Sequence, residues 1–594
     1  MKELEYPFDA GWILSNRRKI RKNLLASDMI FVEKKVAVLG GSTTSNIIQV
    51  LELFLLNQGI KATFYESEYG KYYEDAMFPN PELEAFDPDV VYIHTTNRNI
   101  TSFPALTDSA ETVSRMIDEQ LSKFEGMWNH ISDVYACPII QNNFEMPLYR
   151  LLGNKDASDI HGAVNYLSQI NSGFYKYAQE HKDFFVCDIN YISADYGLKE
   201  WSDPFYWHMY KYAMNVTAIP LLSFNVANII KSIFGKNKKG FVLDLDNTLW
   251  GGVIGDDGVD NIKIGPETSA GQVYSEFQSY IKAHKQMGVV LNIDSKNEES
   301  NAIAGLGHPD SILNPKDFVE IKANWEPKDR NLQEIAKELS LLPESLVFVD
   351  DNPAERHIVA EQIPGVSCPE IGESHQYIVN IDRNGFFEAT YLSEDDLKRN
   401  EMYQENVKRA KAQATFSDYG EYLDSLEMRA VIKPFESLYM SRIAQLTNKS
   451  NQFNLTTKRY TQGEIEALAN NDEYLTLYGK LEDKFGDNGV VSLCIGHLID
   501  GVCNIDLWLM SCRVLKRDME YAMLDSLVQK CKSIGISEIR GYYYPTAKNG
   551  MVKNFYGEMG FEQLSEDDSG SSWTLNISEI YNIKNKHIQV EVEQ

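Results

Sequence analysis

Apolar residues along the first 230 or so positions come in short runs that stop at polar loops. Val36–Leu39 in "KKVAVLGGSTTSN" is one such run; it breaks at Gly40-Gly41 and yields to Ile47, Ile48, Leu51, Phe54 and Leu55, spaced at helical intervals. The first pattern predicts a buried strand, the second an amphipathic helix. "DPDVVYIHTTNRN", "YACPIIQNNFEMP" and "DFFVCDINYI" repeat the apolar strand followed by a polar loop. Strands alternating with helices predict a parallel sheet with functional groups at its carboxyl ends. The lysine-rich "FGKNKKG" then reads as a linker, and a second strand–helix series runs from Phe241 to about Ile381. An acidic helical connector follows, and from about Glu427 longer strands such as "YLTLYGKLED" and "GVVSLCIGHLID" predict a mixed α+β region. The expected divisions are 1–233, 239–385, 386–426 and 427–577, in a multidomain α/β protein. A chain of 594 residues is too long for one core.

Charge narrows the partners. A net charge of −29 argues against nucleic acid. The seven cysteines are scattered, with no CxxC pair, so neither a zinc site nor a disulfide framework is expected. No apolar run of membrane-spanning length is evident, and the N-terminus "MKELEYPFDAGW" is polar, so a cytoplasmic protein without a membrane partner is expected.

The chemistry starts at "FVLDLDNTLWGG". An apolar run ends in Asp244 and Asp246, two residues apart and therefore on one face, where they repel unless a cation lies between them. Magnesium, which takes carboxylate and phosphate oxygens, is the expected cation. Three further stretches supply companions. "GVVLNIDSKN" ends at the hydroxyl of Ser295, "NWEPKDRN" offers Lys328, and "SLVFVDDNPAER" ends in Asp350 and Asp351. A phosphorylated small molecule is the substrate such a set suits.

The order DxDxT, Ser, Lys, DD resembles the haloacid dehalogenase (HAD) superfamily, a Rossmann-like fold. The resemblance implies Asp244 as nucleophile, Asp246 as general acid/base that also gives its backbone carbonyl to Mg²⁺, and Thr248 as the residue orienting the loop. Ser295 and Lys328 would stabilise the phosphoryl oxygens, and Asp350 and Asp351 would hold the metal. The spacing leaves no room for a cap domain. The strings "LDLDNTLWGGVIGDDG", "NWEPK", "DDNPAER", "LTNKSNQFNLTTKRYT" and "PTAKNGMVKNFYGEMGF" are similar to the FkbH-like branch, subfamily IIIC. That likeness implies acyl-phosphate handling, with an acyl carrier protein as the partner of its glyceryl-transferring members. Those members commonly read C-S-K-N where this chain has Asp294 before Ser295, which favours hydrolysis and leaves Cys512 as the nearby-motif thiol. "TTKRY" and "RVLKR" are the stretches that could form a basic dock for an acidic carrier.

"NFYGEMGF" after a β-rich region resembles the GNAT acetyltransferase fold. Its phosphate loop would be "RVLKRDM", where Lys516 and Asp518 replace the expected glycines, so acetyl-CoA binding is not expected. "VLGGSTTSN" resembles an SGNH hydrolase of flavodoxin-type α/β fold. That likeness implies Ser42 as nucleophile, Asn97 as oxyanion donor, and His208 with Asp203 as base and orienter, although Gly41 replaces the usual Asp. His94 reads as a satisfied strand-end histidine.

Overall fold

The computed structural model describes residues 1–392, 394–450, 452–546, 548–578 and 581–591. The chain divides into two compact units. The first is Met1–Lys236 with Glu388–Thr390, the second Asn237–Phe387 with Tyr391–Gln594. The second strand–helix series and the C-terminal region thus share a unit.

In the first unit the apolar runs form strands β1 (Val32–Gly40), β2 (Ile60–Glu66), β3 (Val90–His94), β4 (Ile139–Asn142) and β5 (Phe184–Cys187). They make a parallel sheet in the order β2-β1-β3-β4-β5. Ala37, Leu39, Val91, Ile93 and Ile139 pack with Phe124, Trp128 and Phe174 from the helices Ala110–Tyr135 and Ala163–Glu180. β3, β4 and the second half of β1 are buried on both faces, which is why they read as continuous apolar runs, whereas the edge strand β2 alternates. One stretch among the described residues, Val216–Ile233, is long and apolar enough to cross a membrane, but it lies mostly buried within the protein.

The second unit begins with β6 (Gly240–Leu243), β7 (Val290–Ser295), β8 (Glu320–Ala323) and β9 (Leu346–Val349). These pair in parallel in the order β8-β7-β6-β9. Alternation along the strands sends residues to two separate cores. Phe241, Leu243, Leu291, Ile293, Val347 and Val349 meet Phe277 and Ile281 of the helix Ser269–Gln286. Val242, Val290, Leu346 and Phe348 meet Leu332 and Ile335 of the helix Lys328–Glu338 and Val359 of the helix Pro353–Gln362. From Thr248 to Ser295 and from Ser295 to Lys328 the chain adds helical segments and the edge strand β8 but no inserted domain. The expected uncapped core is what the connections build.

Helix Arg399–Gln413 of the connector is packed rather than free: Tyr403 lies in the same core as Leu332, and Arg409 reaches Asp483. Beyond it come β10 (Met428–Lys433), β11 (Phe453–Asn454), β12 (Tyr474–Asp483), β13 (Gly486–Ile499), β14 (Val502–Met510), β15 (Glu538–Tyr543), β16 (Glu562–Asp567), β17 (Gly570–Asn576) and β18 (Ile588–Glu591). They form one mixed, mostly antiparallel sheet, with β11 on β14. β14 and β15 run parallel and pair only through Val502–Asn504 and Glu538–Arg540. Beyond that point Leu455 N donates to Trp508 O (3.1 Å) and Tyr544 N to Leu455 O (2.9 Å), so the chain's own segment bridges the widening gap.

Candidate functional site

Register explains the site. Leu243 pairs with Ile293 on one side and Val349 on the other, so the residues that follow, Asp244, Asp294 and Asp350, come level on three neighbouring chains. Period two places all three on the side of Val242, Val290 and Phe348, under the helix Lys328–Glu338. That helix delivers the cation. Lys328 Nζ lies 2.8 Å from Asp244 Oδ1 and 2.5 Å from Asp350 Oδ2, with the lysine 4% exposed. Burial works against its charge, but Asp244 and Asp350 more than compensate and raise its pKa.

The carboxylates outnumber that ammonium. Carboxylate oxygens of Asp244, Asp350 and Asp351 lie within 4.8 Å of one another. Burial, then the charge of Asp244, raises the pKa of both Asp350 and Asp351, opposed in each by Lys328. An all-oxygen set with surplus negative charge fits a hard divalent cation such as Mg²⁺. Asp350 is held from behind: Asn352 N donates to its Oδ1 (2.9 Å), and Arg356 Nη1 donates to the carbonyls of Asp350 (2.7 Å) and Asp351 (2.9 Å).

Asp246 is aimed elsewhere. Its Oδ1 accepts from Trp250 Nε1 (2.8 Å) and Ile254 N (3.1 Å), and its Oδ2 from Asn297 Nδ2 (3.0 Å). Burial raises its pKa, and the bonds from Ile254 and Trp250 pull the other way. Asn247, at φ 55°, turns the chain directly after it, a conformation asparagine tolerates better than most residues. Thr248 is fully buried and its hydroxyl accepts from Asp351 N (3.2 Å), which ties the first motif to the last. Ser295 is buried at the end of β7.

The structure therefore brings Asp244, Thr248, Lys328, Asp350 and Asp351 into one connected group, with Asp246 and Ser295 on the same strand ends. Sequence reasoning left Trp250, Asn297, Asn331 and Arg356 without roles. Asn297 sits inside "SKN", and Asn331 stands three positions after Lys328 on the same helix face, so spacing could have flagged both.

The set expected in the first unit is not joined. Ser42 is buried, with no partner for its hydroxyl among the described residues. Asn97 spends its side-chain amide on the carbonyls of Glu145 (3.3 Å) and Met146 (3.4 Å). Asp203 caps the helix Pro204–Tyr210 by accepting from Phe205 N (2.8 Å), and His208 lies exposed further along that helix. No hydrogen bond links Ser42, Asp203 and His208 among the described residues; a capping carboxylate is committed to its helix. His94 is satisfied only in part: Nδ1 meets Asn142 Nδ2 (2.9 Å) and Tyr92 Oη (3.1 Å), whereas Nε2 has no partner among the described residues, and burial lowers its pKa to about 4.

In the C-terminal region Lys516 and Asp518 both sit at φ 62°, the conformation where glycine was expected. Arg513 and Arg517 turn inward and are buried, and Arg459 bonds backbone carbonyls at 447 and 448, so neither basic stretch presents its arginines as an open dock. The side chain of Cys512 lies outside the described residues.

No curated protein matches the chain. The chain is similar to the crystal structure of the N-terminal part of the protein BF1531 from Bacteroides fragilis, containing a phosphatase domain complexed with Mg. Identity is 27%, coverage 63% of this chain and 99% of that one, and the TM-score 0.58. It also aligns with the PaiA N-acetyltransferase from Thermoplasma acidophilum in complex with coenzyme A, at 16% identity over 25% of this chain and 98% of that one, TM-score 0.19. The ribosomal-protein-S18-alanine N-acetyltransferase from Escherichia coli aligns at 12% identity over 26% and 99%, TM-score 0.21. Residues 35–231, the stretch whose SGNH likeness finds no support, match the domain family described as FkbH, N-terminal domain.

Proposed function

We propose that the second unit carries a Mg²⁺-dependent phosphatase or phosphotransferase of the HAD type, acting through an aspartyl-phosphate on a phosphorylated or acyl-phosphate substrate. One observation carries this reading: Lys328 bridges Asp244 and Asp350 at the base of a buried group that still holds more negative than positive charge. The phosphatase domain with Mg in the similar Bacteroides fragilis protein supports it.

In this reading Asp244 attacks phosphorus in line with the leaving oxygen. A bond forms from its carboxylate oxygen to phosphorus as the bond to the leaving group breaks. Asp246 gives the leaving oxygen a proton, and afterwards takes one from the water that attacks the aspartyl-phosphate. Lys328 and the Ser295 hydroxyl hold phosphoryl oxygens as charge develops on them. Asp244, Asp350 and Asp351 would hold Mg²⁺, with the backbone carbonyl of Asp246, and the ion would neutralise the carboxylates and the phosphoryl group.

Hydrolysis is favoured over acyl transfer to a carrier protein. Position 294 carries a buried carboxyl tied to Asn331 in place of a thiol, and the arginines of the two basic stretches are engaged inside the fold. Ester chemistry at Ser42 lacks an assembled base. With a chromogenic aryl phosphate, EDTA should abolish turnover and Mg²⁺ restore it, and Asp246→Asn should lower it about 10²–10⁴-fold. Turnover indifferent to both would remove the proposal.

A further inference from the structure

Asp294 belongs to none of the roles assigned above, yet it is the third member of the level row formed with Asp244 and Asp350. It is fully buried. Its Oδ1 accepts from Asn331 Nδ2 (3.0 Å), and its Oδ2 has no partner among the described residues. The same Asn331 nitrogen reaches Asn324 Oδ1 (2.9 Å), and Asn324 N donates to the carbonyl of Ser295 (3.1 Å). These bonds close a small ring between the end of β7 and the first turn of the helix Lys328–Glu338.

Asn331 follows Lys328 by three positions, so the two side chains leave the helix on one face. The helix begins at Lys328 after Pro327 and has no side-chain cap. Its first turn is therefore fixed by what its own side chains grip. Lys328 grips Asp244 and Asp350, which are the groups that must be free to change partners during phosphoryl transfer. The Asp294–Asn331 bond is the grip that does not involve the reacting groups.

We propose that Asp294 and Asn331 are a positioning pair for Lys328: they anchor the helix's first turn to β7 and so hold the ammonium level with Asp244 and Asp350 while those carboxylates react. Asp294 acts through Asn331, since no hydrogen bond joins it to Lys328. The proposal rests on the phosphatase reading. Burial, reinforced by Asp244 and Asp350 and opposed by Asn331 and Lys328, pushes the pKa of Asp294 up to about 8. Asparagine keeps the oxygen that accepts from Asn331 and copies the side chain in size and shape.

The test is a set of variants assayed with an aryl phosphate and Mg²⁺. Asp294→Ala and Asn331→Ala should each lower kcat by on the order of 10²-fold, the cost of misplacing a catalytic group by about 1 Å, with a smaller change in KM. Asp294→Asn, which can still accept from Asn331, should recover at least tenfold of the alanine loss, a rescue that mere loss of packing volume does not predict. In a Lys328→Ala background, Asp294→Ala should cost almost nothing more, because the group it positions is gone. Additive losses in that cycle, or an asparagine variant as poor as alanine, would overturn the proposal. Melting curves for each variant separate unfolding from misplacement; should the alanine variants not fold, Asp294→Asn and Asn331→Asp carry the same comparison. If wild type and Asp244→Asn turn over the substrate equally, the phosphatase reading itself fails, and this inference with it.

Discussion

Two buried clusters of charged side chains lie in the second unit, and they balance charge in different ways. In the C-terminal region Asp483 accepts from Arg409 Nε (2.7 Å) and Nη2 (2.8 Å), and Arg517 Nη1 stands 3.2 Å away. Two guanidiniums flank Asp483, Glu405 Oε2 lies 3.4 Å from Arg409 Nη2, and Arg517 Nη2 donates to Asn406 Oδ1 (2.8 Å) and the Arg513 carbonyl (2.6 Å). At the carboxyl ends of β6 and β9, by contrast, one ammonium serves Asp244 and Asp350, with Asp351 beside them. A buried ion pair with every lone pair met needs nothing further. A buried group of like charges is costly unless something else binds it. The first arrangement is closed by its own partners, and the second keeps surplus negative charge that a divalent cation would neutralise.

That contrast sets the pH behaviour. In the free protein the pKa values of Asp246, Asp350 and Asp351 are raised, and that of Asp294 reaches about 8, all chiefly by burial. Between the unfolded carboxylate range near pH 4 and the folded values, the folded state binds more protons than the unfolded state. The stability these groups contribute is therefore full below about pH 4 and is lost as pH rises through their folded pKa values. Without divalent cations, the melting temperature should fall between about pH 5 and pH 8. Added Mg²⁺ should raise it most at the upper end, and Asp294→Asn should flatten the slope. A melting temperature that climbs over that range would contradict the assignment of surplus charge to this cluster.

The balanced cluster makes the smaller prediction. Lys516 and Asp518 hold the backbone shape of a glycine loop but fill it with side chains, and Asp518 puts a carboxylate at the start of the helix Met519–Ser533. The Tyr419 hydroxyl donates to the Lys516 carbonyl, and residues 453–455 bridge the gap between β14 and β15. Titration of the protein with acetyl-CoA in a calorimeter should give no binding heat. Micromolar affinity would show that the loop and the bridged gap open more easily than their hydrogen bonds imply.

The strand-ending motifs were legible because both halves of their signal are local. An apolar run predicts a buried strand, and the polar residue that ends it predicts a strand-end group, as at Asp244, Ser295 and Asp350. Register was not legible. Nothing in "NIDSKN" says that Asp294 is level with Asp244, since that depends on how β7 pairs with β6. The buried arginines of "RVLKR" were misread for a related reason. Basic residues are usually solvent-exposed, and here the paired aspartate lies some thirty positions upstream, at Asp483. In the first unit the SGNH likeness implies the aspartate of "DPFYWH" as an orienter, but Asp before Pro is also a strong start signal for a helix, and capping is the role it takes.

The most direct test of the account is a search for the phosphoryl group on Asp244. Protein mixed with Mg²⁺ and a fast aryl phosphate, quenched in acid and digested, should yield a phosphorylated peptide that contains Asp244 in wild type. The adduct should accumulate in Asp246→Asn, which cannot activate the attacking water, and be absent from Asp244→Asn together with all turnover. Undiminished phosphate release by Asp244→Asn would contradict the account.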